Sequence, residues 1–233
     1  MADSYSVTTI AHIHNGFCDK FGIPRQSGLV PELSSTIIFT EPYRSPEALR
    51  GIEGYSHLWL LWQFSACTDH EFRPTVRPPR LGGNKRMGVF ATRSPYRPNN
   101  IGLSSVLLES IEMSKEYGPV LHVSGADLMN GTPILDIKPY IAYTDSHPNA
   151  VSGFADDFVD YRLKVDFPAS LLQQVEPELQ SVLYKLLEND PRPAYQQDAE
   201  RIYTMDFAGY KLSFFVADNI LTVTALSKTR DNR

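Results

Sequence analysis

The sequence predicts a mainly β protein, with an N-terminal antiparallel β-barrel domain (residues 1–160) followed by a small α+β domain (residues 161–233). Between residues 5 and 143, β-branched and apolar runs are separated by turn residues, with little helical periodicity. A doubly wound parallel sheet would need crossover helices of a dozen or more residues, which this region lacks. An apolar content of 42% is enough for a substantial core.

The first strands are predicted at residues 5–14 and 35–40, where β-branched residues alternate with others. A short helix should follow at residues 45–50, because serine, proline and glutamate occupy its N-cap and first turn, and glycines close it. Residues 57–64, HLWLLWQF, form a continuous apolar run. That run predicts a strand that is buried on both faces or lines a barrel.

The remaining strands of the first domain are predicted at residues 87–93, 101–113, 120–128 and 133–143. Pro95 and Pro98 force an exposed loop between the first two of these strands. Asn130-Gly131 is typical of a hairpin turn before the last. Strands joined by turns in this way favour a sheet closed as a barrel.

Residues 144–162 are polar, acidic and rich in turn residues, which marks the domain boundary. Leucines and valines across residues 171–187 then recur at helical spacing, and Pro177 splits this segment or starts its second helix. The second domain therefore contains a short strand at 163–167, these helices, and three strands across 202–226 with turns at Ala208-Gly209 and Asp218-Asn219.

Several classes of function are disfavoured by what the sequence lacks. There is no basic and apolar leader, and the longest apolar run is far shorter than a membrane span, so we expect a cytoplasmic protein without membrane association. Cys18 and Cys67 form no ligand motif, and His12 and His14 share a strand face without a third ligand, so we expect no metal. The glycine motifs of common nucleotide sites are also absent.

A basic segment, residues 72–108, interrupts an acidic protein. The chain has 22 basic and 27 acidic residues, yet this segment contains no Asp or Glu. Its seven basic residues are Arg73, Arg77, Arg80, Lys85, Arg86, Arg93 and Arg97. Arginines interleaved with aromatic residues suit RNA phosphates and unpaired bases. The alternative is a solvated loop that balances an acidic neighbour, and charge alone leaves both open.

Three further groups have two interpretations each. His57 lies in the Trp/Leu run and is expected to be a core histidine rather than a base. Asp127 and Asp136 lie near a turn, where they could pair for acid–base chemistry or only form hydrogen bonds that fix the turn and strand end. Trp59 and Trp62 are expected in the core rather than as a stacking platform.

Several long motifs resemble the TrmO (YaeB/TsaA-like) family of S-adenosylmethionine-dependent tRNA methyltransferases. They are GVFATRSPYRPNNIGLS (88–104), FGIPRQSGL (21–29), RGIEGYSHLWLL (50–61), RPTVRPPRLGGNKRMG (73–88), NGTPILDIKPY (130–140) and DPRPAY (190–195). The resemblance implies a β-barrel methyltransferase, a homodimer, and methylation of N6 of N6-threonylcarbamoyladenosine. That modified base lies just 3′ of the anticodon, at position 37 of threonine tRNA.

The resemblance also implies which residues contact S-adenosylmethionine: Pro24, Arg25, Gln26, Ser65, Ala66, Arg93, Leu103, Asn130, Gly131, Thr132 and Pro133. Relatives often have Asp where this chain has Asn130, and a His-containing pair where it has Ser65-Ala66. Backbone contacts are the ones that this chain would retain at those positions.

We assign RNA contacts, as a hypothesis, to Arg73, Arg77, Arg80, Lys85, Arg86 and Arg97. Tyr96, Asp136 and Tyr140 are candidates for helping to remove the N6 proton, with packing or hydrogen bonding as the alternative for each. Two other functions stay open from the sequence. One is a cofactor-binding protein that lacks catalysis or methylates a small molecule, and the other is a tRNA-binding protein that uses no cofactor.

Overall fold

Six strands close into a barrel in the computed structural model, which describes residues 3–67, 72–193 and 198–229. The strands of the N-terminal part are β1 (Ala11–His14), β2 (Ser34–Phe39), β3 (His57–Gln63), β4 (Thr75–Val76), β5 (Met87–Gly88), β6 (Ile101–Ser114), β7 (Gly118–Ser124) and β8 (Pro133–Pro139). The barrel order is β1-β2-β7-β6-β3-β8, all antiparallel, while β4 and β5 pair only with each other. The predicted mainly β fold is confirmed.

Strand β3 has one face inside the barrel and one face outside it. Its alternate residues Leu58, Leu60 and Trp62 are buried in the barrel, whereas Trp59 and the other intervening side chains are partly exposed. Each buried position faces a matching one on β6, and Trp62 lies opposite Gly102. The continuous apolar run therefore lines a barrel instead of being buried on both faces. His57, expected in the core, is exposed because it begins the strand.

Several predicted strands are shorter than their apolar patterns. The first begins at Ala11 rather than residue 5. The strand predicted at 87–93 is wrong beyond Gly88, because Val89–Ala91 form a 3-10 turn that buries Val89 and leads into the proline-rich loop. The strand predicted at 120–128 ends at Ser124, before Gly125, whose φ of +77° breaks the ladder.

Two other local predictions change in type. The predicted helix near residue 46 is a 3-10 helix, Pro46–Leu49. The last barrel strand stops at Pro139, since proline lacks the N–H that a continued ladder requires, and residues beyond it turn into helix α1 (Ala142–Asp145). Among the described residues, no helix is both long and apolar enough to cross a membrane.

The C-terminal part is a sheet with a helix packed on it. Its elements are β9 (Lys164–Asp166), α2 (Ala169–Leu172), α3 (Pro177–Glu188), β10 (Tyr203–Phe207), β11 (Tyr210–Ala217) and β12 (Ile220–Lys228). The sheet order is β10-β11-β12-β9, and β9 alone is parallel to its neighbour. Pro177 starts α3, which buries one apolar face (Val182, Leu183, Leu186 and Leu187).

The connecting segment, residues 15–33, belongs to the C-terminal core although it lies between two barrel strands. Phe17, Val30 and Leu33 are all but fully buried in the same apolar cluster as the C-terminal sheet and α3. The Phe17 ring lies 4.8 Å from that of Phe207, and Ala208 donates its N–H to the Gly16 carbonyl across 2.9 Å. The PRQ motif (Pro24, Arg25 and Gln26) within this segment is therefore held between the barrel and the C-terminal sheet.

Candidate active site

A cavity of about 500 Å³ lies where the connecting segment meets the barrel. Its walls come from that segment, the end of β3, the loop at 92–97, the start of β6, and the residues that follow β7. Eight of the eleven predicted cofactor contacts line it: Pro24, Arg25, Gln26, Ser65, Ala66, Arg93, Leu103 and Thr132. Positions far apart in the sequence are thus brought together around one space.

The NGTP turn borders this cavity only through Thr132, and its other residues do not line it. The turn instead holds the fold together. Asn130 donates its N–H to the Phe17 carbonyl across 2.9 Å, and Gly131 donates to the Ile13 carbonyl across 2.8 Å. Because these N–H groups are already bonded within the protein, the backbone contacts to a cofactor that we expected of this turn lose two donors.

Arg25 joins the cavity to the C-terminal part. Its Nη2 donates to the carbonyl oxygens of Asp190 and Arg192, at 2.9 and 2.6 Å. Burial, with the nearby charge of Arg80, lowers the pKa of Arg25 to about 10, so the guanidinium stays charged at neutral pH. Its Nη1 atom is buried with no hydrogen-bond partner within the described protein. A buried donor of this kind is costly unless a ligand or water completes it.

A second arginine extends this arrangement. Arg93 Nη1 bonds to Gln26 Oε1, and Gln26 Nε2 donates to the Arg25 carbonyl. Arg97 closes the loop, since its Nη1 donates to the Thr92 carbonyl across 2.6 Å. With Lys20, these arginines put four cations around the cavity. An anionic ligand group is therefore favoured there.

Asp127 is the one carboxylate among the described residues that line the cavity. Ser104 Oγ donates to Asp127 Oδ1 across 2.5 Å and accepts a hydrogen bond from Trp62 Nε1 at 2.9 Å. Burial raises the pKa of Asp127, opposed by the Ser104 hydrogen bond and the charge of Arg93. The sequence predicted Asp127 either as an acid–base partner of Asp136 or as a residue that fixes the turn and strand end. The structure bonds it instead to Ser104, and the missing signal was that Ser104 and Trp62 point inward from paired strands.

The candidates for removing the N6 proton lie elsewhere. Tyr96, Asp136 and Tyr140 are not among the described residues that line the cavity. Lys138 Nζ is 2.8 Å from Asp136 Oδ2, so this carboxylate forms a surface ion pair. The Tyr140 ring packs 5.5 Å from that of Trp59. Among the described residues no His, Cys, Asp and Glu side chains cluster as a metal site would require.

The six arginines and lysines assigned to RNA occupy different surroundings. Arg77, Lys85 and Arg86 are exposed on or beside the β4–β5 hairpin. Arg73 is exposed as well, with its guanidinium 5.1 Å from the ring centre of Tyr96. Arg97 closes the loop at the cavity, as described above.

Arg80 departs from this set. Its guanidinium stacks 4.6 Å from the Tyr161 ring and 5.4 Å from that of Phe158, and burial lowers its pKa. Arg80 thus packs the basic segment against the start of the C-terminal part. The DPRPAY motif supplies the neighbouring Asp190 and Arg192, while its Ala194 and Tyr195 lie outside the described residues.

Comparison with known proteins covers both parts of the chain. Residues 12–146 match the family model described as the tRNA-methyltransferase O N-terminal domain, and residues 160–229 match that of the TrmO C-terminal domain. The tRNA (adenine(37)-N6)-methyltransferase of Escherichia coli K12 is 38% identical over 96% of this chain and 98% of its own.

Two further matches come from Pseudomonas aeruginosa. A putative S-adenosylmethionine-dependent methyltransferase, RcsF, is 42% identical over 83% of this chain and 84% of its own. A crystal structure of TrmO superimposes with a TM-score of 0.79 at 32% identity, covering 98% of this chain and 99% of that one.

Proposed function

Since this chain belongs to the TrmO family, we propose that it methylates N6 of N6-threonylcarbamoyladenosine at position 37 of threonine tRNA. The broader activity is that of a tRNA (adenine-N6) methyltransferase, the name of relatives 38% to 42% identical to this chain. S-adenosylmethionine as the methyl donor is named for the relative RcsF, which is 42% identical. The finer assignment is to the threonylcarbamoyl base and to threonine tRNA.

The donor set of the cavity fits S-adenosylmethionine, and this observation carries the proposal. The cofactor's methionyl carboxylate needs cationic donors, and four cations line the cavity: Lys20, Arg25, Arg93 and Arg97. Arg25 also has a buried Nη1 atom without a partner within the described protein. The cofactor's adenine needs apolar surface, which Phe64, Ile101 and Leu103 provide in the cavity wall. A volume of about 500 Å³ lies within the usual range for a ligand site, roughly 300–1,000 Å³.

Bound S-adenosylmethionine supplies a methyl group that is already activated by its sulfonium. The protein therefore needs no covalent intermediate, and its residues have three tasks: to orient the reactants, to exclude water, and to take the proton from N6. Orientation alone can lower a barrier by about 7–11 kcal/mol at most. Gln26 and Arg93, bonded to one another across the cavity wall, are placed to orient a ligand.

The target base explains the remaining cations. It lies in a single-stranded loop, carries a threonine carboxylate, and is flanked by phosphates, all of which suit arginine. Arg97 lines the cavity beside Arg93, so we assign Arg97 to the RNA and Arg93 to the cofactor. The exposed Arg73, Arg77, Lys85 and Arg86 would follow the phosphate backbone away from the target.

We further propose that the protein acts as a homodimer in the cytoplasm, as the family resemblance implies. Light scattering coupled to size exclusion tests the first statement, and a mass of one chain, 26.2 kDa, would contradict it. Detection of a fluorescently tagged copy outside the cytoplasm would contradict the second.

The central test compares two tRNAs. Purified protein is incubated with S-adenosylmethionine and with threonine tRNA that either carries or lacks the threonylcarbamoyl group. The tRNA is then digested, and the masses of its nucleosides are measured by mass spectrometry. We expect one added methyl group on the modified base and none on the plain adenine. Methylation of both tRNAs would retain the methyltransferase but refute the base assignment. A protein that binds the cofactor and methylates neither would support the non-catalytic alternative, and one that binds only tRNA would support the other.

A further inference from the structure

Asp127 stands out once the cavity is described, because it is the one carboxylate that faces it among the described residues. The cavity's other charged groups are cations: Lys20, Arg25, Arg93 and Arg97, with the Cys67 thiol as the remaining titratable side chain. A reaction in which N6 loses a proton needs an acceptor for that proton. None of the three candidates chosen from the sequence lines this space.

The carboxylate is held in place from the barrel core. Ser104, which is only 1% exposed, donates to Asp127 Oδ1 and is itself fixed by the Trp62 indole N–H. Trp62 is 7% exposed, and its ring lies 4.3 Å from that of Phe64. A carboxylate, a hydroxyl that orients it and a buried anchor form the arrangement by which proteins position a base.

The close approach of two strands makes this anchor fit. Gly102 on β6 lies opposite Trp62 on β3, and a Cβ atom at Gly102 would stand 2.3 Å from the indole Cε2. Only glycine allows the indole to lie flat there and reach Ser104, two residues further along β6. The glycine in NNIGLS thereby supports the hydrogen bonds that end at Asp127.

We propose that Asp127 is the general base of the methyl transfer, oriented by Ser104; this role rests on the proposed function. In the step, the N6 proton passes to an Asp127 oxygen, and the electron pair left on N6 forms the bond to the methyl carbon. The pair of the broken carbon–sulfur bond remains on sulfur, which becomes a neutral thioether. Asp127 then releases its proton to solvent before the next turnover.

The surroundings of Asp127 suit this role. Burial raises its pKa, which makes the carboxylate a better proton acceptor. The Ser104 hydroxyl and the charge of Arg93 oppose this shift, because both stabilise the ionised carboxylate that must accept the proton. The N6 proton, next to a carbonyl carbon, is more acidic than that of adenine, which narrows the gap that the base must bridge.

The test compares Asp127→Asn with the wild type. Asparagine keeps the size and can still accept from Ser104, but it cannot take a proton. We expect kcat to fall by roughly 100-fold or more, the lower end of general-base contributions. S-adenosylmethionine affinity, measured by calorimetry without tRNA, should stay within about threefold, since the lost interaction acts in the transition state. Wild-type kcat should rise with pH as Asp127 loses its proton, and this rise should be absent in Asp127→Asn.

A matched control is Asp166→Asn, which makes the same substitution at an exposed position on β9. It should leave kcat and its pH dependence unchanged. If Asp127→Asn does not fold, Ser104→Ala leaves the carboxylate but removes its orienting hydrogen bond. That variant should lower kcat roughly tenfold with little change in KM, and unchanged kcat would contradict the proposal.

Three outcomes with Asp127→Asn would also overturn this role. One is full turnover of Asp127→Asn, and another is an unaltered pH profile. The third is a large loss of cofactor affinity without tRNA, which would make Asp127 a cofactor ligand. Failure of the proposed function is seen separately, because the wild-type protein would then not methylate the modified tRNA at all.

Discussion

Gly102→Ala tests whether the contact between β3 and β6 sets the shape of the cavity. The added methyl carbon would stand 2.3, 2.4 and 2.6 Å from Cε2, Cζ2 and Cδ2 of Trp62. The indole cannot yield easily, because Phe64 packs against it and its Nε1 is bonded to Ser104. Either the indole turns and breaks that bond, or the two strands separate.

The cost follows from the magnitudes for each event. Overpacking a core costs about 1–3 kcal/mol, and a lost hydrogen bond about 0.5–1.5 kcal/mol. Against this, replacing glycine by alanine stabilises a compatible strand by about 0.4–1 kcal/mol through the unfolded state. We expect a net loss of about 2 kcal/mol, which lowers Tm by roughly 4–8 °C in a chain of this size.

Thermal unfolding followed by circular dichroism measures this loss, with Gly54→Ala as the control. A Cβ at Gly54 meets no atom within 4 Å, and that variant should lose no stability and gain at most about 1 kcal/mol through the unfolded state. A second check adds Trp62→Leu, which vacates the space: the double variant should be more stable than the sum of both single losses. Gly102→Ala with a wild-type Tm and wild-type cofactor affinity would refute the reasoning.

Three further predictions concern the cavity's supports. Arg25→Met keeps the side-chain volume but removes the donors to the carbonyls of Asp190 and Arg192. Cofactor affinity measured by calorimetry should therefore fall at least tenfold, and amide hydrogen exchange at residues 188–193 should become faster. If neither quantity changes, Arg25 does not join the cavity to the C-terminal part. Asp190→Asn breaks a buried pair with Arg192 and should cost about 3–5 kcal/mol at neutral pH. Although burial raises the pKa of Asp190, the hydrogen bonds from Arg192 hold it below its usual value of 3.8. The stability that the ion pair contributes is therefore present above pH 3.8 and is lost as the pH falls below that value. If urea unfolding gives the same stability difference between wild type and Asp190→Asn at about pH 7 and at about pH 3, this pH dependence is refuted. Arg77→Glu with Lys85→Glu should weaken tRNA binding and reduce its salt dependence by about 0.7 per lost contact in log–log slope, without changing cofactor affinity; unchanged tRNA affinity would remove these residues from the RNA surface.

Local patterns predicted the fold class but not every boundary. The strand predicted at 101–113 differs by one residue from β6, Ile101–Ser114. This strand pairs with both β3 and β7. The strand at 87–93 was wrong since its apolar residues serve a buried turn at Val89, and local periodicity does not separate the two. His57 was assigned to the core by its neighbours in sequence, whereas its place at the strand end leaves it exposed.

The candidate site, like the fold, could be predicted only in part from the sequence. Eight of the eleven cofactor contacts implied by the family motifs come together around one cavity, but the position of Asp127 in that cavity does not follow from any motif or period. It depends on β6 lying beside β3, so that Ser104 and Trp62 meet inside the barrel. Such pairing is a long-range property, and the sequence marks it only through a glycine that leaves room for an indole.

The connecting segment changes how the C-terminal part should be studied. Removing the chain after residue 160 would take away the partners of Phe17, Val30 and Leu33 and the carbonyls that bind Arg25. Exposing those side chains would disorder the PRQ motif, so lost tRNA binding in such a variant would not assign RNA contacts to the C-terminal sheet. Substitutions on exposed positions of that sheet, such as Lys211→Glu, keep the buried contacts and separate RNA recognition from support of the cofactor cavity.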